Sequence, residues 1–259
     1  MKSIITSFLI LIIISIVISS CKKNSNPVST SGNDNSNYFP STAGSIYKYN
    51  FERTDENGRQ TTGIRDTKYE STTAMGGIYS LQIDTVTTSD STDVFNSLFR
   101  KSDTGIYYYL DTTGFSENLP PEFVQYLPYL KVDQEMLLFS TPLQDGKNWQ
   151  VFKVNLEQVF TVTVVDVEAK YLGKENVALN LNSGTVTKQA AKVEYSFSLI
   201  NPITQSKQTV TADGWFVADI GAVKWEGNAL LLNVFTRNDI NFADSTSTGS
   251  ENLIQYNIK

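Results

Sequence analysis

Histidine is missing from all 259 residues, and cysteine occurs once, at Cys21. These two counts narrow the available chemistry more than any motif in the chain. Without His there is no Ser-His-Asp triad, no Cys-His pair and no imidazole general base. Zinc, copper and non-haem iron sites lean on His or Cys, so no such metal centre is expected, and no cofactor. Carboxylates remain. Asp166 and Glu168 stand two apart, so a strand would point both to one face about 7 Å apart, near the separation of an inverting glycosidase pair. Lys170 continues that face while Val165, Val167 and Ala169 fill the other, which an ordinary solvated strand face explains in full. Asp90, Asp93, Asp103 and Asp111 lie in or beside Ser/Thr/Gly turns, where oxygen ligands could gather around calcium. None follows the spacing of a calcium-binding loop, and turns use Asp and Ser for their own backbone hydrogen bonds. The expectation is a protein that is not an enzyme.

Aromatic side chains offer binding rather than catalysis. Tyr107, Tyr108 and Tyr109 are consecutive, so a strand would place Tyr107 and Tyr109 on one face, either as an exposed platform or as cross-strand packing with hydroxyls at the rim. The stretch Leu119–Leu130 holds Phe123, Tyr126, Leu127 and Tyr129 between Pro120-Pro121 and Pro128. It reads as a short helix near 121–127 or an irregular loop, serving as a lid over an apolar groove or as a plain cover for an open end of a sheet. Tyr107, Tyr109, Phe123, Tyr126 and Leu127 are thus the candidate ligand groove. Trp149, Trp215 and Trp225 read as core residues at strand ends, with Gly221 marking a bulge or sharp bend.

The sole cysteine follows a leader. Lys2 is a minimal positive start, and Ile4–Ile18 is an almost unbroken apolar run. A spanning helix needs about 20 residues, so this run suits an export signal better than a permanent anchor. Small residues then precede the thiol, and Ile18-Ser19-Ser20-Cys21 resembles the lipobox of bacterial lipoproteins. The resemblance implies cleavage after Ser20 and a diacylglycerol on Cys21, giving stable membrane anchoring because more than one acyl chain is then buried. Lys22 and Lys23 stand where that family carries Asp for inner-membrane retention, so the outer membrane is the expected location, with either leaflet open. Residues 22–37, KKNSNPVSTSGNDNSN, hold one apolar residue, Val28, and read as a flexible tether.

Behind the tether, residues 38–259 read as a single domain. Hydrophobic residues at 40% suit a folded body, and 12% aromatics favour sheet. With Lys2 removed, 20 Lys/Arg face 27 Asp/Glu for a net −7, which argues against nucleic acid and against a basic patch gripping anionic lipid. Tyr47, Tyr49 and Phe51 alternate with Lys48, Asn50 and Glu52, a half-buried strand, and Asp55-Glu56-Asn57-Gly58 is a hairpin signal. Further strands are expected through about Glu70, then over Ile78–Thr88, Val94–Lys101, Ile106–Asp111, Met136–Phe139, Trp149–Asn155, Leu156–Leu172, Val177–Leu181, Thr185–Ile200, Ser206–Phe216, Ala222–Trp225, Leu230–Arg237 and Leu253–Ile258. No crossover helices separate them, so the sheet should be antiparallel, and the long strands suggest strong curvature.

Several segments also resemble lipoproteins of Bacteroidota and related bacteria. Tyr38-Phe39-Pro40, Gly44 and Tyr47-Lys48-Tyr49 resemble their "YFP…G..W.Y" opening, and Gly146 with Trp149 their "G..W" step. Gly184-Thr185-Val186, Ala191-Lys192-Val193 and the run Trp215–Lys224 resemble later motifs, although Asp219 replaces a usual Gly and Ala222 a larger apolar residue. The resemblance implies a curved half-barrel similar in outline to the carriers of lipoproteins. The fold expected is all-β, a strongly curved antiparallel sheet (half-barrel or open barrel) with at most one short helix after the signal. The function expected is an envelope lipoprotein acting as a binding or interaction module. The alternative is a carrier cradling a lipid or other hydrophobic ligand in its concave face, and the oligomeric state stays open.

Overall fold

A computed structural model describes residues 33–110, 126–157, 160–201, 204, 206–237 and 246–259. Its elements in chain order are β1 (Ile46–Thr54), β2 (Gln60–Ala74), β3 (Tyr79–Thr88), β4 (Thr92–Ser102), β5 (Gly105–Tyr109), β6 (Leu130–Val132), β7 (Glu135–Ser140), β8 (Asn148–Glu157), β9 (Thr161–Leu181), β10 (Gly184–Ile200), β11 (Lys207–Val217), β12 (Gly221–Asn228), α1 (Ala229–Arg237) and β13 (Thr248–Asn257). The strands form one thirteen-stranded antiparallel sheet, ordered β6-β8-β9-β10-β11-β12-β13-β1-β2-β3-β4-β5-β7. The all-β curved sheet expected from alternation is the observed fold.

The hairpins form where turn chemistry demands. Gly58 sits at φ 78 between β1 and β2, and Gly105 at φ 150 closes the β4–β5 turn. Asp219 takes φ 60 at the β11–β12 turn, a left-handed position that Asp tolerates better than most side chains. A register shift between Trp215 and Phe216 leaves Val223 as the extra residue, so the bulge lies two residues past Gly221, which itself pairs with Val217. β9 joins two strands that the sequence separates at 172–177. Leu172 is an extra residue opposite the Lys192/Val193 step, and Gly173 at φ 103 carries the chain through the bend without interruption.

One element is of the wrong type. Leu230–Arg237 reads as a buried strand, but Ala229–Arg237 is the α-helix α1. Its residues from Ala229 to Thr236 are all buried, so no polar face exposes a helical period, and a short apolar run of this kind fits strand or helix equally. The Asn228 side chain decides the matter locally, accepting the Leu230 N–H at 3.0 Å as a helix cap. Where the sequence suggested a helix, residues 121–125 fall outside the described ones and a single 3₁₀ turn covers Leu127–Tyr129.

The concave side is filled. Leu230, Leu231 and Leu232 of α1 are fully buried and belong to one core cluster with Tyr195, Phe216, Trp225 and Leu253. Trp225 stacks on Phe235 at 5.5 Å, and Tyr195 meets Phe235 at 4.4 Å. Trp149, Trp215 and Trp225 are all buried, as expected. A second aromatic group, Phe39, Tyr69, Phe99 and Tyr108, packs edge-to-face under β2, β4 and β5.

The segment expected as tether ends early. Asp34 and Leu143 exchange both backbone hydrogen bonds at 3.0 Å, and the Asp219 N–H donates to the Asn37 carbonyl at 2.8 Å. The Asp34 carboxylate accepts from the Tyr38 hydroxyl at 2.6 Å and pairs with Lys174 at 2.7 Å. Asn33–Asn37 is therefore fastened to the body, and its polar composition reflects these contacts. Composition alone could not show them. All of this lies at one end of the sheet. There β2, β4, β7, β9, β11 and β13 finish, β1, β3, β5, β8, β10 and β12 begin, and the Gly44–Tyr69, Thr141–Thr104 and Tyr171–Lys147 backbone bonds join neighbouring turns.

Candidate functional site

β6 and β7 terminate the hydrogen-bonded order, yet only Asp133-Gln134 separates them in the chain. The first half of this stretch pairs with β8, continuing to a bond from the Asp133 N–H to the Lys153 carbonyl at 3.1 Å. The second half pairs with β5, where the Leu110 N–H reaches the Gln134 carbonyl at 2.9 Å. The start of β8 and the edge of β7 thus face each other without a ladder, and β7 is held there by one side chain of β8 and one of β10. The Trp149 indole donates to the Leu137 carbonyl at 3.1 Å, and the Tyr195 hydroxyl to the Leu138 carbonyl at 2.9 Å.

A cleft of about 450 Å³ opens along this seam, lined by Tyr79, Tyr107, Asp133, Gln134, Glu135, Leu137, Gln150 and Val151. Arg100 grips Glu135 through both nitrogens, Nε to Oε1 at 2.5 Å and Nη2 to Oε2 at 2.6 Å. The Tyr79 hydroxyl donates to the same Oε1 at 2.6 Å. The Arg100 guanidinium lies over the Tyr107 ring, 4.1 Å from its centroid, a cation–π geometry. The hydrogen bonds from Arg100 hold the Glu135 carboxyl below its usual range, and the Glu135 carboxylate in turn pushes Arg100 up. Burial, then the bond to Glu135, raises Tyr79. Such a carboxylate is a poor proton acceptor. The Gln150 amide turns back to the Phe152 and Val167 carbonyls and to Asp166, across a bulge in the β8–β9 ladder. Asp166 is thereby tied to its neighbouring strand.

A second polar group lies inside. Arg65 donates from Nε and Nη2 to Glu251 Oε2 at 2.8 and 2.7 Å, and from Nη1 to Asp84 Oδ1 at 2.9 Å and Thr67 Oγ1 at 2.6 Å. Its guanidinium stands 4.2 Å from the Tyr49 ring centroid. Thr67 donates to Asp84 as well, and Gln82 donates to Asp84 Oδ2 at 2.6 Å while accepting from Tyr108 at 2.5 Å. Thr236 of α1 reaches Glu251 at 3.2 Å, and Arg53 contacts both Glu251 and Asn233. Burial alone would lower the Arg65 pKa, but Glu251 and Asp84 outweigh it and push it up. The network joins β1, β2, β3, β5, β13 and α1, with its charges opposed by buried partners, so its role is to fix which strands meet.

Tyr107 and Tyr109 do share the outward face of β5, with Ile106 and Tyr108 buried beneath. Tyr107 lines the cleft, and Tyr109 packs edge-on against Tyr79 at 5.8 Å. Tyr126 packs against the core and Leu127 opens the 3₁₀ turn; neither lines the cleft. Phe123, Cys21 and Asp111 lie outside the described residues. Arg100, Glu135 and Tyr79, which give the cleft its charge, come from three strands and carry no local signal that would have singled them out. Asp90 and Asp93 bond to Ser89 and Ser91 in their own turn, and among the described residues no group of three His, Cys, Asp or Glu could hold a metal ion.

No protein-family model and no curated protein sequence matches the chain. Among solved structures it is similar to a protein described as exported and of YmcC-like fold from Bacteroides fragilis, at 14% identity, covering 86% of this chain and 99% of that one, with a TM-score of 0.46. A protein described as a lipoprotein from Parabacteroides distasonis aligns at 11% identity over 86% of this chain and 99% of that one, with a TM-score of 0.39. The hypothetical lipoprotein YmcC of Escherichia coli aligns at 10% identity over 81% and 84%, with a TM-score of 0.32.

Proposed function

We propose that this chain is a cell-envelope lipoprotein, held at the outer membrane by a lipid on Cys21, whose β domain binds a partner at the β7–β8 seam without catalysing a reaction. The anchor rests on the apolar leader ending in Ile18-Ser19-Ser20-Cys21. The binding role rests chiefly on one observation, the Arg100–Glu135–Tyr79 group beside Tyr107. Its polar atoms are paired with one another, its carboxylate is held ionised, and its ring and guanidinium faces present a preformed surface in a cleft of about 450 Å³. That arrangement suits recognition of a polar partner. The carrier alternative is less favoured, because α1 and the aromatic residues occupy the concave side that a greasy ligand would need.

Two measurements test the proposal. Cys21→Ser should abolish incorporation of labelled acyl chains, and a protein starting at Lys22 should fractionate as soluble. A parent protein that takes up no acyl label, or a Cys21→Ser protein that still does, would refute the anchor. Native mass spectrometry of the protein starting at Lys22 should show no co-purifying lipid. A stoichiometric lipid retained across expression hosts would restore the carrier reading.

A further inference from the structure

The β2–β3 turn, like the Asn182-Ser183 turn between β9 and β10, lacks the charge that three other turns at the same end of the sheet carry, but it adds exposed apolar side chains. Ser102–Gly105 carries Asp103, the β7–β8 connection carries Asp145 and Lys147, and the β11–β12 turn carries Asp219. From Ser71 to Ile83, by contrast, no residue is charged. The turn is Met75-Gly76-Gly77-Ile78, with φ of 49, 72 and 88 at its first three residues. Two glycines in the left-handed region make it tight, and a side chain at either would meet nothing within 4 Å. The tip therefore stands clear of the body. Met75 and Ile78 flank it, 48% and 63% exposed. A single exposed apolar side chain is ordinary, but two on a charge-free projecting tip are not explained by the fold.

What faces the tip follows from where the chain leaves the structure. Asp34 is bonded to Leu143 at the same end of the sheet. Cys21 precedes Asn33 by 12 residues, a length that covalent geometry limits to roughly 40 Å when fully extended. A lipid on Cys21 would therefore be joined to the domain at the end that bears the Met75–Ile78 tip. Resting on the lipid-anchor reading above, we propose that this tip is a membrane-contact element, lying in the headgroup region of the lipid surface that anchors Cys21 and turning the tether-bearing end of the domain toward it. The net acidic chain and the uncharged tip fit a surface of neutral headgroups, entered by apolar side chains and not by charge attraction.

The sole native thiol makes the test specific. The mature full-length protein, reconstituted in phosphatidylethanolamine–phosphatidylcholine vesicles, should take no thiol-reactive fluorophore, because thioether formation blocks Cys21. Ile78→Cys then introduces one reactive thiol, and Val94→Cys, at a β4 position 60% exposed and nearer the opposite end, provides the control. In vesicles the label at 78 should shift its emission to the blue and be quenched by headgroup-level and shallow acyl-chain quenchers, while the label at 94 keeps its aqueous spectrum. In detergent-free solution, the protein starting at Lys22 and carrying Ile78→Cys should show the aqueous spectrum too. If the protein floats with vesicles but the label at 78 matches that at 94, the contact element is refuted and the anchor stands. If the parent protein is labelled at Cys21 or fails to float, the anchor reading falls and this proposal falls with it.

Discussion

Arg65→Met is the sharpest test of how the interior is held together. The substitution keeps most of the aliphatic volume but removes the cation that faces Asp84 and Glu251. Four hydrogen bonds are lost: two to Glu251, one to Asp84 and one to Thr67. Both carboxylates are fully buried. Glu251 retains Arg53 at 3.5 Å, whereas Asp84 keeps only neutral donors, Thr67 and Gln82. Breaking a buried pair by removing one partner costs about 3–5 kcal/mol. For a domain of this size that corresponds to a fall in Tm of roughly 6–20 °C. The neighbouring pair Lys48–Asp66, at 3.2 Å on the same β1–β2 ladder but with both side chains more than one-third exposed, supplies the comparison. Lys48→Met should cost less than about 1 kcal/mol. Replacing the whole buried set, Arg65→Met with Asp84→Leu and Glu251→Leu, should recover most of the loss, because no charge is then left uncompensated. Thermal melting followed by circular dichroism reads all three. If Arg65→Met melts within a degree or two of the parent, or no earlier than Lys48→Met, the cluster does not act as an opposed buried charge set and the reasoning is wrong.

Other outcomes follow from single contacts. Tyr195→Phe deletes the hydroxyl that donates to the Leu138 carbonyl at the seam, and should cost about 1–2 kcal/mol in urea denaturation with an unchanged m-value. Gly63→Ala would place a methyl 2.3 Å from the Thr87 carbonyl oxygen and 2.6 Å from the Phe51 ring, so a loss of about 1–3 kcal/mol is expected by the same assay. The Asp34 carboxyl is pushed up by partial burial, but Lys174, Tyr38 and Ser36 outweigh that and hold it well below the usual range. Its stabilising contribution is therefore fully present above the unfolded value of about 3.9 and is lost only as pH falls through the lower folded value. Pepsin at pH 4 should leave the chain uncut between Asn33 and Pro40, while Asp34→Ala should expose that stretch even to neutral proteases.

Legibility in the sequence followed local rules and stopped where tertiary contacts took over. Asn57-Gly58 announces its hairpin because a tight turn needs positive φ at fixed positions. Tyr47, Tyr49 and Phe51 announced β1 because its buried face is apolar. On β2 alternation gives little guidance: the buried face carries Arg65 and Thr67 beside Tyr69, while Ile64 is only half-buried on the other. α1 was misread because burial on every side erases its period. The pair Tyr107 and Tyr109 was visible as a face, whereas Arg100, Glu135 and Tyr79 meet only after β3, β4 and β7 are brought together. Asn33–Asn37 read as tether because hydrogen bonds to Leu143 and Asp219 are invisible at the level of composition.

The stretch from Leu130 to Ser140 serves two neighbours in succession, β8 and then β5. At that point covalent bonds close the ring of strands, where a barrel would ordinarily use a ladder. The dipeptide Asp133-Gln134 works as a clasp: the two margins cannot drift apart there by more than the reach of two residues, about 7 Å. Breathing motions can widen the mouth above the clasp, where Trp149 and Tyr195 supply only single side-chain stitches, but cannot unroll the wall. A sheet so fastened offers little free margin for a second copy to extend, which guards a strand-rich domain against end-to-end polymerisation.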